Sequence, residues 1–457
     1  MNHLKFGTDG VRGVANTELT PEFAFRLGLA AGEALGRGSR ALMGRDTRKS
    51  GSMLGAAVAA GLCSAGVDVT TLGVAPTGAI SALTRMEEYH LGVVISASHN
   101  PAPDNGIKLL AQDGRKVSAE FEKGVQERIS GDVGDRPSGV MVGEIHARPE
   151  LLERYMTMLE TIVPERLEGL KVAVDGSQGA GFELGPEIFR RLGAEVIETA
   201  TTPDGLNINQ GCGATHPANI QKFAHEVQAD VGVAFDGDAD RAIFSDSQGE
   251  LINGDRTLGI WAAHWKSHHQ LQPAVVVGTV MSNGGFEEYL SQNGVQLERT
   301  PVGDKYVSAR MTELGALVGG EQSGHLIFIE RGPTGDGLIT ALELLRVLKR
   351  EGRPLSSMMN DFKNWPQLLV NVGLRSRDGW DQGPLVQQAL AEGAARLGSS
   401  GRLVVRPSGT QPMVRVMVEA KDEALRDEIA ESIVSAMAQE LGGTIYSRVD
   451  LTHALGD

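Results

Sequence analysis

The sequence predicts an α/β protein of several domains, and three observations carry that prediction. The chain has 457 residues, beyond the size at which a single hydrophobic core stops growing. Short apolar runs alternate with segments of helical length, the pattern of parallel sheets with right-handed crossovers. The same succession of elements occurs three times, and each time it breaks into a polar loop.

In the first copy, strands are expected at 40–44, 67–72 and 91–95, with a helix at 53–65. The third strand runs into Ser-Ala-Ser-His-Asn-Pro. In the second copy, strands at 170–174, 194–199 and 230–235 alternate with helices at 182–193 and 219–228, and the third strand breaks into Asp-Gly-Asp-Ala-Asp-Arg. The third copy has strands at 274–278, 295–300 and 316–319 and helices at 285–292 and 305–314, ending in Gly-Glu-Gln-Ser-Gly-His. A Gly/Pro/Asp-rich connector spans 130–144. From about 366 the pattern changes to strand 368–372, helix 385–395, strands 402–406 and 414–420 and a closing helix to about 441, a small α+β domain. The expected units are therefore 1–145, 146–252, 253–365 and 366–457. In parallel sheets ligands gather beyond the carboxyl ends of strands, so the three polar loops are expected to converge on one cleft.

Charge narrows the partners. Lys plus Arg number 43 and Asp plus Glu 58, a net charge of -15, which argues against nucleic acid or an anionic membrane. Cys63 and Cys212 are the two cysteines, too few for a disulfide framework. The opening segment carries no apolar signal and no run reaches membrane-span length, so a soluble, cytoplasmic protein is expected.

The loops carry the chemistry. Asp236, Asp238 and Asp240 alternate on a glycine-containing loop and can gather their oxygens around one hard cation. An EF-hand needs Gly and Glu where Arg241 and Ser247 stand, so that reading fails. Arg241 beside three carboxylates suits a site for both metal and phosphate, with Mg²⁺ the natural ion; a solvated acidic turn is the alternative. In Arg406-Pro-Ser-Gly-Thr-Gln-Pro-Met-Val-Arg415, backbone N–H groups around Ser408, Gly409 and Thr410 form an anion nest between two arginines. A plain hairpin remains the alternative there. No metal-binding acid accompanies this loop, so a phosphate held in it is gripped rather than activated. Glu321 and Ser323 suit sugar hydroxyls, and His325 suits acid–base work or a structural role. A serine in the 96–98 loop, beside a metal loop, is a candidate phosphoryl carrier, with Lys108 adding positive charge or proton transfer. The P-loop, the dinucleotide-binding glycine pattern and the serine-hydrolase elbow are all missing.

Taken together, Phe-Gly-Thr-Asp-Gly-Val-Arg-Gly at 6–13, Ile-Ser-Ala-Ser-His-Asn-Pro, Asp-Asn-Gly-Ile-Lys, the acidic loop, Val-Gly-Asp-Lys-Tyr at 302–306, Gly-Gly-Glu-Gln-Ser-Gly-His, Thr-Gly-Asp-Gly at 334–337 and the 406–415 loop occur in one order along the chain. That set resembles the bacterial phosphoglucosamine mutases of the phosphohexomutase superfamily. The resemblance implies three α/β/α domains with mixed, largely parallel sheets and a C-terminal α+β domain, arranged around a central cleft. It implies that Ser98, rather than Ser96, carries the phosphoryl group and completes the Mg²⁺ site of Asp236, Asp238 and Asp240. Arg12, His99, Lys108 and Arg241 then surround the reacting phosphate, Glu321 and Ser323 read the sugar, and Arg406, Ser408, Gly409, Thr410 and Arg415 clamp the distal phosphate. Four stretches depart from the commonest text: Gln411 for Glu, Ala239 for Gly, Lys305 for Arg, and Asp-Gly-Ser-Gln-Gly-Ala-Gly at 175–181.

The implied reaction interconverts glucosamine 6-phosphate and glucosamine 1-phosphate through a phosphoserine and a sugar 1,6-bisphosphate, which also serves as activator. It would feed amino-sugar nucleotide and cell-wall precursor synthesis. The alternative is a phosphoglucomutase/phosphomannomutase of the same superfamily. A separate distal clamp is what distinguishes a mutase from a phosphatase, and a mobile fourth domain would let the bisphosphate turn. The expected partner is a phosphorylated hexosamine, and the expected state a monomer or homodimer.

Overall fold

In each of the first three sheets the first strand of the repeat lies in the middle, flanked in parallel by the second and third. Arg40–Arg45 sits between Asp68–Val74 and Leu91–Ile95. Lys171–Asp175 sits between Glu195–Thr199 and Val231–Phe235. Val275–Thr279 sits between Gln296–Thr300 and Val318–Gly320. After each third strand the chain reverses and adds an antiparallel strand: Asp104–Ala111, Ala242–Asp246 and Leu326–Phe328. The three polar loops are these reversals, at the same place in every sheet. The computed structural model describes residues 4–7, 10–131, 134–376, 379–408 and 412–452.

Every residue of Leu91–Ile95, Val231–Phe235 and Val275–Thr279 is buried, because helices cover both sheet faces. That double burial explains why these strands read as continuous apolar runs. Other elements gave a weaker signal. Helix Pro21–Leu35 packs along Ser50–Ser64, and the contact is made by small residues that blur helical periodicity. A Cβ on Gly28 would stand 2.2 Å from the Val58 carbonyl oxygen, and one on Gly61 2.2 Å from that of Phe25. Helices Thr77–Met86, Gly254–Ser267 and Gly337–Glu351 also complete the layers.

Asp-Asn-Gly-Ile-Lys, with the composition of a turn, forms the start of strand Asp104–Ala111 instead. Asn105 is fully buried there, where its Oδ1 accepts from Gly106 N and its Nδ2 donates to Ser50 Oγ at 2.9 Å. With its amide satisfied on both sides, local turn preference loses to sheet pairing. The connector after 130 includes strand Ile145–Ala147, which pairs in parallel with Asp68–Val74 at the edge of the first sheet.

The fourth unit is an antiparallel sheet in the order Gly401–Pro407, Met413–Ala420, Gln367–Gly373, Thr444–Asp450, with helices Pro384–Leu397 and Glu423–Leu441. Helix Glu423–Leu441 does not close the domain, because strand Thr444–Asp450 follows and pairs with Gln367–Gly373. This edge strand leaves Ile445 and Tyr446 exposed, which hides the alternation of a half-buried strand.

One apolar core runs through the first three units, from Leu42 and Leu83 through Val172 and Phe235 to Leu342. The fourth has its own core around Val370, Val416 and Ile433. It meets the third through a small patch of Met281, Leu369, Met417 and Leu451 and through buried Glu419, which accepts from Arg402 and from Gly284 N at 2.8 Å.

Candidate active site

Ser98 takes a left-handed backbone, φ 50°, at the turn leaving strand Leu91–Ile95. A side chain in that conformation costs on the order of 1 kcal/mol, and buried hydrogen bonds hold it there. The Arg48 guanidinium donates to the Ser98 carbonyl at 3.0 Å, Asn209 Nδ2 donates to the same oxygen at 2.9 Å, and the Ser98 N–H donates to Ser96 Oγ at 2.9 Å. Ser96 Oγ itself donates to Asp46 Oδ2 at 2.5 Å, and Asp46 pairs with buried Arg48. The two serines thus differ. Ser96 is locked beneath the loop, whereas Ser98 lines a cleft of about 590 Å³.

Ser98 Oγ donates to Asp236 Oδ2 at 2.6 Å. Asp236, Asp238 and Asp240 are all buried, with one oxygen from each within 4.8 Å of the others. Their loop turns through Ala239, φ 53°, where glycine would be unstrained. It is braced from three sides. Thr77 Oγ1 donates to Asp238 Oδ2 at 2.7 Å; Ser177 Oγ donates to the Asp236 carbonyl at 2.9 Å; and Gly337 N donates to the Ala239 carbonyl at 2.9 Å. The unusual 175–181 stretch is therefore a buttress for the acidic loop. Asp336 caps the helix that Gly337 begins, and a Cβ on Gly78 would stand 2.1 Å from its carboxylate.

Lys108 Nζ reaches Asp238 Oδ2 at 2.8 Å and Asp240 Oδ2 at 3.4 Å. Even so, Asp238 Oδ1 and Asp240 Oδ1 are buried without a hydrogen bond. Burial, then repulsion from Asp240 and Asp238, pushes the Asp236 carboxyl up to about 8. A crowded, oxygen-only, electrostatically unbalanced triad fits a hard divalent cation such as Mg²⁺. Its chemistry is of the kind that neutralises a transferring phosphoryl group.

Arg12, His99, Arg241, Glu321, Ser323 and His325 face the same cleft. Arg12 and His99 line it beside Ser98, with His99 Nδ1 3.4 Å from Ser98 Oγ and Arg12 donating to Asn100 Oδ1 at 3.2 Å. Arg241 lines it too, its N–H donating to Asp236 Oδ1 at 3.2 Å. Glu321, Ser323 and His325 come from the third reversal. His325 Nδ1 lies 3.6 Å from Asp240 Oδ1; burial lowers the imidazole, but Asp240, with Asp304 and Glu321 beyond, raises it to about 9.

Arg406 and Arg415 face the cleft from the fourth unit, directly opposite one another on antiparallel strands. Burial and then Arg415 lower Arg406 from its ordinary value. Like charges in register repel, and an anion between them relieves both. Ser408 is buried at the end of its strand, off the cleft lining, with its N–H on the Met413 carbonyl at 2.9 Å. Gly409, Thr410 and Gln411 lie outside the described residues.

The reading from sequence did not include Thr77, the Asp46–Arg48–Ser96 network, Asn209 or Asp304. The signal for Arg48 was available: Gly-Arg-Asp-Thr-Arg at 44–48 leaves the central strand of the first sheet at its carboxyl end.

A serine facing three clustered carboxylates, with a paired-arginine pole elsewhere in one cleft, defines a multidomain α/β phosphotransfer enzyme. Models of phosphoglucomutase/phosphomannomutase match the chain as alpha/beta/alpha domain I at 3–133, domain II at 153–249, domain III at 253–365 and the C-terminal domain at 369–436. The chain belongs to the phosphoglucomutase/phosphomannomutase family. A phosphoglucosamine mutase of Desulforudis audaxviator is 47% identical over 95% of this chain and 98% of its own. The structure of a phosphoglucomutase/phosphomannomutase family protein from Burkholderia thailandensis superposes with a TM-score of 0.79 at 26% identity, covering 96% of this chain and 97% of the other. An Aspergillus fumigatus N-acetylphosphoglucosamine mutase, solved with GlcNAc-6P and magnesium, shares the fold with a TM-score of 0.68 at 18% identity, over 95% of each chain. No helix among the described residues is long and apolar enough to cross a membrane.

Proposed function

We propose that this enzyme interconverts glucosamine 6-phosphate and glucosamine 1-phosphate, working in the cytoplasm as a monomer or homodimer and feeding amino-sugar nucleotide and cell-wall precursor synthesis. The observation that carries the reading is the presence of two phosphate-sized poles in one cleft. One is the Ser98 centre with its carboxylates; the other is the Arg406–Arg415 pair on the strands of the fourth unit. The near-full-length likeness to phosphoglucosamine mutases supports the choice of sugar.

The reaction begins with phosphorylated Ser98, charged by a sugar 1,6-bisphosphate. The sugar's C1 hydroxyl attacks the phosphorus and the bond to Ser98 Oγ breaks, giving the 1,6-bisphosphate and a free serine. The attacking hydroxyl's proton passes, through the transfer centre where Lys108 and His325 stand, to the departing Ser98 Oγ, and it returns by the same path when Ser98 takes the 6-phosphoryl group. Asp236, Asp238 and Asp240 would hold Mg²⁺, which would supply positive charge against the transferring group. Arg12, His99 and Arg241 hold its oxygens; Glu321 and Ser323 hold the sugar hydroxyls. The bisphosphate then turns end for end, so that Arg406 and Arg415 take the phosphate just delivered. The 6-phosphoryl group transfers to Ser98, and glucosamine 1-phosphate leaves. The four units assigned from sequence each contribute one loop to this cycle.

A coupled assay on glucosamine 6-phosphate, primed with glucosamine 1,6-bisphosphate, tests the proposal against glucose and mannose 6-phosphates. Faster isomerisation of the amino sugar is expected. Net release of inorganic phosphate, or faster turnover of a neutral hexose phosphate, overturns it.

A further inference from the structure

The cleft is lined by Arg12, Lys108 and Arg241 near Ser98 and by Arg406 and Arg415 from the fourth unit, and it carries two carboxylates outside the acidic triad. Glu321 and Asp304 both line it, and neither takes part in an ion pair among the described residues. Glu321 Oε1 accepts the Gly303 N–H at 2.9 Å, which ties the 302–306 turn to the 321–325 loop and sets Asp304 beside it. Asp304 Oδ1 accepts its neighbour's Lys305 N–H at 2.7 Å, and the carboxylate makes no other hydrogen bond among the described residues.

One carboxylate suffices to accept hydrogen bonds from adjacent sugar hydroxyls. A second carboxylate on the same cleft, whose only hydrogen bond among the described residues is to a neighbouring backbone N–H, can accept from a cationic donor on the ligand. The phosphates of a sugar phosphate are anions, so such a cation can only sit on the sugar ring. We propose that Asp304 recognises the ammonium group of an amino-sugar phosphate, and so sets the preference for hexosamine over neutral hexose phosphates. This rests on the mutase reading above and names the residue behind its substrate choice.

Asp304 also opens helix Asp304–Leu314, where a carboxylate is favoured by the helix dipole. Asp304→Asn keeps the acceptor for Lys305 N–H and removes only the charge, and Asp304→Glu keeps the charge one methylene further out. The measurement is kcat/KM for glucosamine 6-phosphate and for glucose 6-phosphate on wild type and both variants. In Asp304→Asn the ratio of the two should fall roughly ten- to hundredfold, the worth of one charge-assisted hydrogen bond, and Asp304→Glu should recover part of it. An equal loss on both sugars, or an unchanged ratio, overturns the assignment of Asp304 and leaves the mutase reading intact. A wild type that isomerises glucose 6-phosphate but not glucosamine 6-phosphate removes the mutase reading as stated, and this inference with it.

Discussion

Ser98 Oγ and Asp236 Oδ2 lie 2.6 Å apart, a hydrogen bond that joins the first unit's reversal loop to the second's. The hydroxyl therefore sits against the acidic triad without any domain movement. Ser98→Ala should lose the single phosphate adduct seen by intact-mass analysis, and turnover should drop by at least roughly a thousandfold, as for removal of other covalent nucleophiles. An unmodified wild type whose Ser98→Ala form kept full turnover would end the carrier role.

Ser96 gives the opposite expectation. Its hydroxyl is enclosed between Asp46 and the Ser98 N–H, so Ser96→Ala leaves a buried carboxylate short of a donor and a buried N–H short of an acceptor. Stability should fall by about 1–3 kcal/mol in denaturant titrations, while the phosphate adduct remains. Loss of the adduct with unchanged stability would point to Ser96 as the carrier.

Metal dependence follows from the crowding of the triad. Chelation by EDTA should abolish turnover and added Mg²⁺ restore it. Asp238→Asn should lower Mg²⁺-dependent turnover by at least about a hundredfold, the scale of losing one preorganised electrostatic group. Its circular dichroism should remain that of wild type, because the asparagine oxygen still accepts from Thr77 Oγ1. A variant as active as wild type and equally responsive to Mg²⁺ would contradict the metal role.

The arginine pair should separate binding from folding. Arg406→Ala and Arg415→Ala should each raise KM roughly ten- to hundredfold, the worth of a charge-assisted hydrogen bond to phosphate. Labelled bisphosphate should escape to solvent more often during turnover. Arg406→Ala should not cost stability, since burial and the Arg415 charge opposite already disfavour its guanidinium. Unaltered KM in both variants would show that the distal phosphate is held elsewhere.

Much of this was legible in the chain. Strands buried on both faces, such as Leu91–Ile95 and Val231–Phe235, announce themselves as apolar runs, and the loops after them carry their own side-chain chemistry. The helices that escaped notice, Pro21–Leu35 above all, pack through alanine and glycine, so their contact face lacks the bulky periodicity that marks a helix. Asp104–Ala111 was hidden because Asn105 and Gly106 carry a turn's composition, and only the neighbours that satisfy the buried amide make a strand possible there.

The sequence by itself determined the repeated α/β units, the acidic triad, the arginine loop and the order in which they come. It could not choose between Ser96 and Ser98 on local grounds, because both are serines of one turn and differ only in what packs beneath them. Nor could it single out Arg48 or Thr77, which hold Ser98 and Asp238 across 50 and 161 residues of chain. Those assignments belong to tertiary structure: hydrogen bonds and charge act through distance in space, and 138 residues of chain separate Ser98 from the carboxylate it touches.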